Sequence, residues 1–313
     1  MKNKKLISIV TPCYNEEENI TLHFKTILKI TKPFRTKYNF EFVYTDNCSE
    51  DKTFSLLKDL AKNYKNLKAV RFSRNIGVNR SIYFGLSQAR GDAAILIQAD
   101  LQDPPELIPQ FIKWWENGFD VVYGKVTLRK EFLIMRYLRQ IYYKLITTLS
   151  EIDIPQNAGE FRIMSRRVLD AIGKYKEDDI YLRGVIAHIG YKQRAIPYVR
   201  GKRMRGKSNA NFFHLITYAI NGLLSTTVVP IRLTLIIGLL FSTTGFLLTI
   251  IIVITKFAFP NKAPQGFTML ATIVTFFAGV QMFSIGIIGE YIRKIYIQSL
   301  NRPQGFIEEK INL

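Results

Sequence analysis

The chain has 313 residues, is 48% hydrophobic and carries a formal net charge of +19, enough for one large domain and an appendage. Its two cysteines, Cys13 and Cys48, lack Cys-x-x-Cys spacing and there are only three histidines, which argues against a zinc site or a disulfide framework. The basic residues cluster beside apolar segments and form no recognition motif, so the charge points to anionic lipid and phosphate and away from nucleic acid.

Met1-Lys2-Asn3-Lys4-Lys5 has the charge of a signal peptide, but the apolar stretch Leu6 to Val10 is short and soon meets Glu16-Glu17-Glu18, so no secretory signal is expected. Leu6 to Thr11 predicts a strand, followed by a Pro-Cys-Tyr-Asn turn and a helix start whose carboxylates suit the helix dipole. Phe40 to Thr45 predicts a second strand ending in Asp46-Asn47-Cys48-Ser49-Glu50-Asp51, with a helix from Lys52 to Tyr64. A third, Leu67 to Phe72, ends at Ser73-Arg74-Asn75-Ile76-Gly77 before a helix from Val78 to Ala89. The fourth, Ala93 to Ile97, runs into Gln98-Ala99-Asp100-Leu101-Gln102-Asp103 and stops at Pro104-Pro105. Strands alternating with helices predict a mostly parallel, doubly wound α/β sheet, with polar clusters gathered at its carboxyl edge, where such sheets bind ligands. Asp100 and Gln102 can both offer oxygens to one hard cation bridging to a diphosphate; taken alone, they also fit an ordinary solvated strand end.

A helix through Trp115 leads to a strand from Asp120 to Tyr123. Glu131 to Leu149 interleaves apolar residues with Arg136, Arg139 and Lys144, which fits either an amphipathic helix on a membrane surface or one packed on the sheet. Phe212 to Val228 predicts an interfacial helix. Leu233 to Thr255 carries no charge, nor does Ala263 to Gly289, and each exceeds the roughly 20 residues needed to span a bilayer. Arg200, Lys202, Arg203, Arg205 and Lys207 precede the first run, Arg293 and Lys294 follow the second, and only Lys256 and Lys262 lie between. The positive-inside bias therefore puts both flanks in the cytosol and predicts a multi-pass hairpin in the cytoplasmic membrane. The expected division is a catalytic domain over 1–210, an interfacial helix over 211–231, two spans of about 233–255 and 267–289 within 232–290, and a cytosolic tail over 291–313.

Six segments, taken together, resemble the family 2 glycosyltransferases of GT-A fold, and more narrowly the polyprenyl-phosphate glycosyltransferases. They are Ser8 to Glu17, Asp46 to Thr53, Ser73 to Gly77, Ala99 to Pro105, Ala158 to Arg167 and Arg203 to Ser208; the resemblance also covers the terminal hairpin. It implies that Pro12, Tyr14, Glu16, Asp46, Asn75 and Gly77 line the donor nucleotide pocket, and that Asp100 and Gln102 hold Mg²⁺ or Mn²⁺ against the diphosphate. Arg162, Ser165, Arg203, Arg205 and Lys207 are the candidates for the acceptor phosphate. Glu160 is the carboxylate expected to face the anomeric carbon, where the family commonly has aspartate; pairing with Arg162 or Arg166 is its alternative role. Gln98 stands where many relatives have aspartate, which leaves Asp100 as the principal ligand.

The implied reaction is inverting transfer of a hexose, UDP-glucose being the favoured donor, to undecaprenyl or another polyprenyl monophosphate. The partners are then a nucleotide-sugar, a polyprenyl phosphate and the bilayer, and the architecture is compatible with a homo-oligomer, dimer or tetramer. A processive polysaccharide synthase is a second reading, against which the only tryptophans, Trp114 and Trp115, lie in the wrong context for a Gln-x-x-Arg-Trp motif. A non-catalytic membrane scaffold is the third, separable by assaying release of nucleoside diphosphate.

Overall fold

A computed structural model of the chain describes residues 4–128, 155, 157–175, 181–201, 227, 229–258 and 266–313. Two compact units emerge, Met1–Ser225 with Arg302–Leu313, and Thr226–Asn301. The expected helices over Glu131 to Leu149 and, Thr227 apart, Phe212 to Val228 lie outside the described residues.

In the first unit, β1 (Lys5–Cys13), α1 (Ile20–Thr31), β2 (Tyr38–Asp46), α2 (Thr53–Asn63), β3 (Leu67–Phe72), α3 (Val78–Gln88) and β4 (Ala93–Leu96) follow the alternation read from the sequence. Then come α4 (Ile108–Glu116), β5 (Val121–Leu128), β6 (Ala158–Ser165), α5 (Arg166–Ile172), α6 (Leu182–Ile189) and β7 (Gln193–Val199). The sheet order is β7-β5-β6-β4-β1-β2-β3, with an eighth strand, β8 (Ile307–Ile311), beyond β3. β1 pairs in parallel with both β2 and β4, and β2 with β3. β6 is antiparallel to β4 and β5, and β7 is parallel to β5. The chain thus builds outward from β1 through β2 to β3, then returns to place β4 on the other side of β1. Such a reversal opens a crevice at the carboxyl ends of the two central strands, which here are the ends carrying Pro12 and Gln98.

Alternating strand residues bury both faces. Ile7, Ile9, Phe42 and Phe161 pack with Phe24 of α1 and Phe111 of α4 on one side. Val10, Val43, Leu96 and Met164 pack with Ile82 of α3, Val168 of α5 and Val185 of α6 on the other. Full burial of Phe24, Phe42 and Phe111 contributes about 1.5–3 kcal/mol each. Gly85 lets α3 lie directly on the sheet, since a Cβ there would sit 2.6 Å from Val10 Cγ1.

Three local departures have physical causes. α1 begins at Ile20 because the amides of Glu16 and Glu17 are bonded to Thr53 Oγ1 and Asp51 Oδ2, at 2.8 and 3.0 Å, which holds the acidic run in a turn ahead of the helix. β5 runs five residues past Tyr123 because β7, which the sequence reading did not anticipate, pairs along it. Part of the expected tail is β8, antiparallel to β3.

The second unit holds α7 (Val229–Ala258) and α8 (Phe267–Ser299). Phe241 and Phe277 meet edge to face at 5.3 Å, and Tyr291 donates to Thr227 O at 3.0 Å. Leu235, Leu239, Phe246, Met282, Phe283 and Ile285 are exposed. Among the described residues no helix is long and apolar enough to cross a membrane; several positions of both expected spans, including 248, 249, 252 and 253, lie outside the described side chains.

Candidate functional site

At the carboxyl edge of the sheet, the loops after β1 and β2 are laced together. Asn15 N–H donates to Ser49 Oγ at 3.0 Å, its Oδ1 accepts from Glu50 N–H at 2.9 Å, and Lys52 N–H donates to Glu17 Oε2 at 2.9 Å. Asn15 and Cys48 both have left-handed backbones, φ 54° and 62°, a conformation that favours glycine. Pro12 is buried at the end of β1 and Tyr14 half-buried beyond it. Glu16 is turned back onto Asn19, from whose Nδ2 it accepts at 2.7 Å, so its carboxylate is tied to the residue that precedes α1.

Asp46 is fully buried and accepts from both the amide and the hydroxyl of Ser49. Burial pushes its carboxyl above the usual range, opposed by the Ser49 bonds and by Arg71. Asn47 ties this turn to the next loop: its Nδ2 donates to Asn75 Oδ1 at 2.8 Å and its Oδ1 accepts from Ile76 N–H at 2.8 Å. Asn75 Oδ1 also accepts from Gly77 N–H at 2.9 Å, and Gly77 starts α3 at φ 88°. Asp46, Asn75 and Gly77 therefore belong to one hydrogen-bonded rim.

Beyond β4 the backbone turns sharply at Leu101, φ 55°. Asp100 Oδ1 accepts from Gln102 N–H at 3.1 Å, and Gln102 O accepts from Gly201 N–H at 2.9 Å. Asp103 is buried, accepts from Tyr198 Oη and pairs with Arg200 Nε at 3.3 Å. Burial pushes its carboxyl up, with Asp100 and Glu160 adding to the rise and Arg200 and Tyr198 opposing it.

β6 supplies the facing wall. Arg162, paired across from Leu96 at the carboxyl end of β4, bonds its own strand at Gly159 O (2.6 Å) and Glu160 O (3.2 Å). Glu160 Oε1 accepts from Arg183 Nε at 2.7 Å, and its Oε2 lies 3.6 Å from Arg162 Nη2. Burial would raise the Glu160 carboxyl, but Arg183, Arg162 and Arg200 outweigh it and hold it below the usual carboxylate range. Arg166, the other candidate partner, is bonded to the Gly91 and Ala89 carbonyls.

Three carboxylates (Asp100, Asp103, Glu160) thus share a field with three guanidiniums (Arg162, Arg183, Arg200). Near charge balance leaves little to neutralise an added anion. That donor set fits a divalent cation of the magnesium type, which takes one or two carboxylates plus substrate phosphate oxygens and keeps several waters. It does not resemble an all-protein metal cage, and among the described residues no group of three or more His, Cys, Asp or Glu could form one.

Ser165 is placed elsewhere. It pairs with Ala93 at the opposite end of β4, three residues from Arg162 and so about 10 Å along the strand, and its hydroxyl donates to Asp120 at 3.0 Å. That register sets it apart from Arg162, with which it is grouped above as a candidate for the acceptor phosphate. Arg203, Arg205 and Lys207 lie outside the described residues. Arg183 carries no sequence signal, because a single arginine in a helix has no distinguishing spacing, and Arg200 stands out only as part of a basic run.

Residues 8–173 match the family described as Glycosyl transferase family 2, and residues 229–295 match the GtrB C-terminal hairpin. The chain is 33% identical over 307 residues to an uncharacterized glycosyltransferase of Bacillus subtilis (strain 168), covering 98% of this chain and 94% of that one. It is 35% identical to a bactoprenol glucosyl transferase of Shigella phage SfV, covering 97% and 98%. A prophage bactoprenol glucosyl transferase homolog of Escherichia coli (strain K12) is 34% identical, with 96% and 98% covered.

Proposed function

The chain belongs to glycosyltransferase family 2, and from that premise we propose that it moves a hexose, glucose from UDP-glucose being favoured, onto undecaprenyl or a similar polyprenyl monophosphate. The observation that carries the reading is the Asp100 turn, set at the reversal point of the sheet and sharing its field with the Glu160, Arg162, Arg183 and Arg200 cluster. One wall suits a diphosphate with its cation, the other a second phosphate. The relatives named bactoprenol glucosyl transferase support both the sugar and the lipid.

Pro12, Tyr14, Asp46, Asn75 and Gly77 hold the nucleoside, with Glu16 shaping the loop. Asp100, aided by Gln102, holds Mg²⁺ or Mn²⁺, which when bound offsets charge building on the diphosphate. Arg162 and Arg183 orient the acceptor phosphate, joined by Arg200 and by Arg203, Arg205 and Lys207 of the following run; arginine suits this through paired contacts to phosphate oxygens. A phosphate oxygen of the lipid attacks the anomeric carbon as the bond to the nucleoside diphosphate breaks, so configuration inverts from α to β. Because a phosphomonoester's second pKa is about 6, the nucleophile is largely ionised at neutral pH and no proton need be removed. Glu160, ionised and held by Arg183, then serves to position arginines and is not a base.

Exposed apolar side chains along α7 and α8, and the uncharged runs of the full sequence, support a two-span anchor in the cytoplasmic membrane with both termini cytosolic. The product is a lipid-linked sugar for modifying cell-envelope glycans. The test is to incubate the purified full-length protein with undecaprenyl phosphate and a panel of UDP- and GDP-sugars and to weigh the lipid product. A hexosyl lipid phosphate formed from UDP-glucose supports the reading; no sugar on the lipid with any donor contradicts it.

A further inference from the structure

β8 follows the second long helix in sequence, yet it completes the sheet edge directly behind the two donor loops. Its pairing with β3 runs Ala69 to Ile311, Val70 to Lys310 and Arg71 to Glu309, then slips so that Phe72 meets Ile307. Glu308 is therefore the extra residue of a β-bulge, a device that re-aims a side chain. Its carboxylate lies 2.9 Å from Arg71 Nε. Arg71 in turn donates through Nη2 to Ser49 O at 3.2 Å, and its charge opposes the burial that pushes the Asp46 carboxyl up.

A second contact, independent of the first, reaches the other loop. Ser73 N–H donates to Phe306 O at 2.9 Å, and Gly305 lies so close to Ile76 that a Cβ there would sit 2.9 Å from Ile76 Cγ2 and 3.2 Å from its Cδ1. Ile76 N–H is the donor to Asn47 Oδ1, and Val70, Phe72 and Ile76 form a small buried cluster that Ile307 covers.

We infer that the segment Arg302–Leu313 is a positioning element of the donor site: Glu308 sets Arg71 against the Asp46–Ser49 turn, and Gly305 sets the Asn75–Gly77 loop. The inference rests on the donor-site reading given above. Donor affinity then depends on residues at the far end of the chain from every nucleotide-binding loop, and acceptor affinity does not.

The experiment uses the full-length protein in detergent with Mg²⁺, reading UDP and GDP binding by calorimetry and, in the transfer assay, the KM for donor and for polyprenyl phosphate separately. Gly305→Val drives a side chain into Ile76 and is expected to weaken nucleotide binding and raise donor KM about tenfold or more, with acceptor KM changed less than about twofold. Glu308→Gln, at a half-exposed position, removes one ion pair without bulk and is expected to raise donor KM about two- to fivefold, with Glu308→Asp restoring part of the loss. Lys58→Gln breaks the other ion pair of this edge, to Glu309 at 2.8 Å, and should leave both KM values unchanged. Equal rises in both KM values, or wild-type nucleotide affinity in Gly305→Val and Glu308→Gln alike, overturn the inference while leaving the donor site standing. A wild-type protein that binds neither UDP nor GDP overturns the donor-site reading, and this inference with it.

Discussion

At Glu160 neighbouring charge outweighs burial. Its carboxyl is held below the usual range by Arg183 and Arg162 despite burial, so it is ionised at every pH where the enzyme would work. Glu160→Gln keeps the shape and removes the charge that orients Arg183; we expect acceptor KM to rise roughly tenfold or more, as for a lost buried ion pair, with kcat/KM unchanged in its pH profile between pH 6 and 8. Loss of an acidic limb below that window, where a general base takes up its proton, would instead make Glu160 a base. His23 gives a second residue-level test. It is fully buried between α1 and β2, bonded to Tyr44 Oη at 3.0 Å, and burial lowers its pKa from 6.5 to about 3. The unfolded chain binds the proton first, so stability present above pH 6.5 is lost as pH falls toward about 3. Thermal unfolding of His23→Gln should show a shallower loss over that window than wild type, by an amount on the order of a few kcal/mol. Asp100 and Gln102 were legible in the sequence because an apolar run ended in oxygens and two prolines stopped it. Arg183 was not, because its meaning comes from a contact between α6 and β6, to Glu160, that no local spacing signals.

Among the elements, β1 to β4 could be read because their apolar runs are continuous and each is followed by polar turn residues. The sheet margins hid themselves. β7 contains Pro197 and alternates with charged residues, which an edge strand tolerates but which weakens its signal. β8, Ile307-Glu308-Glu309-Lys310-Ile311, is mostly charged and draws its stability from β3. α3 depends on close approach as much as on its apolar stripe: Gly85→Ala places a Cβ 2.6 Å from Val10 Cγ1 and 3.2 Å from Thr45 Cγ2. We expect a destabilisation of about 1–3 kcal/mol, read as a lower chemical-denaturation midpoint. An unchanged midpoint would mean that α3 does not rest on the sheet as described.

For the whole molecule, the order of strands does more than any one motif. Reversal beside β1 brings the loops after β1, β2, β3 and β4 to one edge, and antiparallel β6 returns Glu160 and Arg162 to that edge while carrying Ser165 away from it. Sequence motifs in order along the chain give the candidate residues, but only this register separates Arg162 from Ser165. The chain also returns to its first unit after α8, so a protein ended before Arg302 loses β8 and bares the edge of β3. Such a truncation is expected to aggregate on size exclusion under conditions where the full chain is monodisperse. The central claim, hexosyl transfer at a clamp built on Asp100, is tested most directly by comparing wild type and Asp100→Ala in reconstituted membranes with UDP-glucose, undecaprenyl phosphate and added Mg²⁺ or Mn²⁺. The account predicts hexosyl lipid phosphate and stoichiometric UDP from the wild type and a loss of at least about a hundredfold in the variant; wild-type turnover by Asp100→Ala would contradict it.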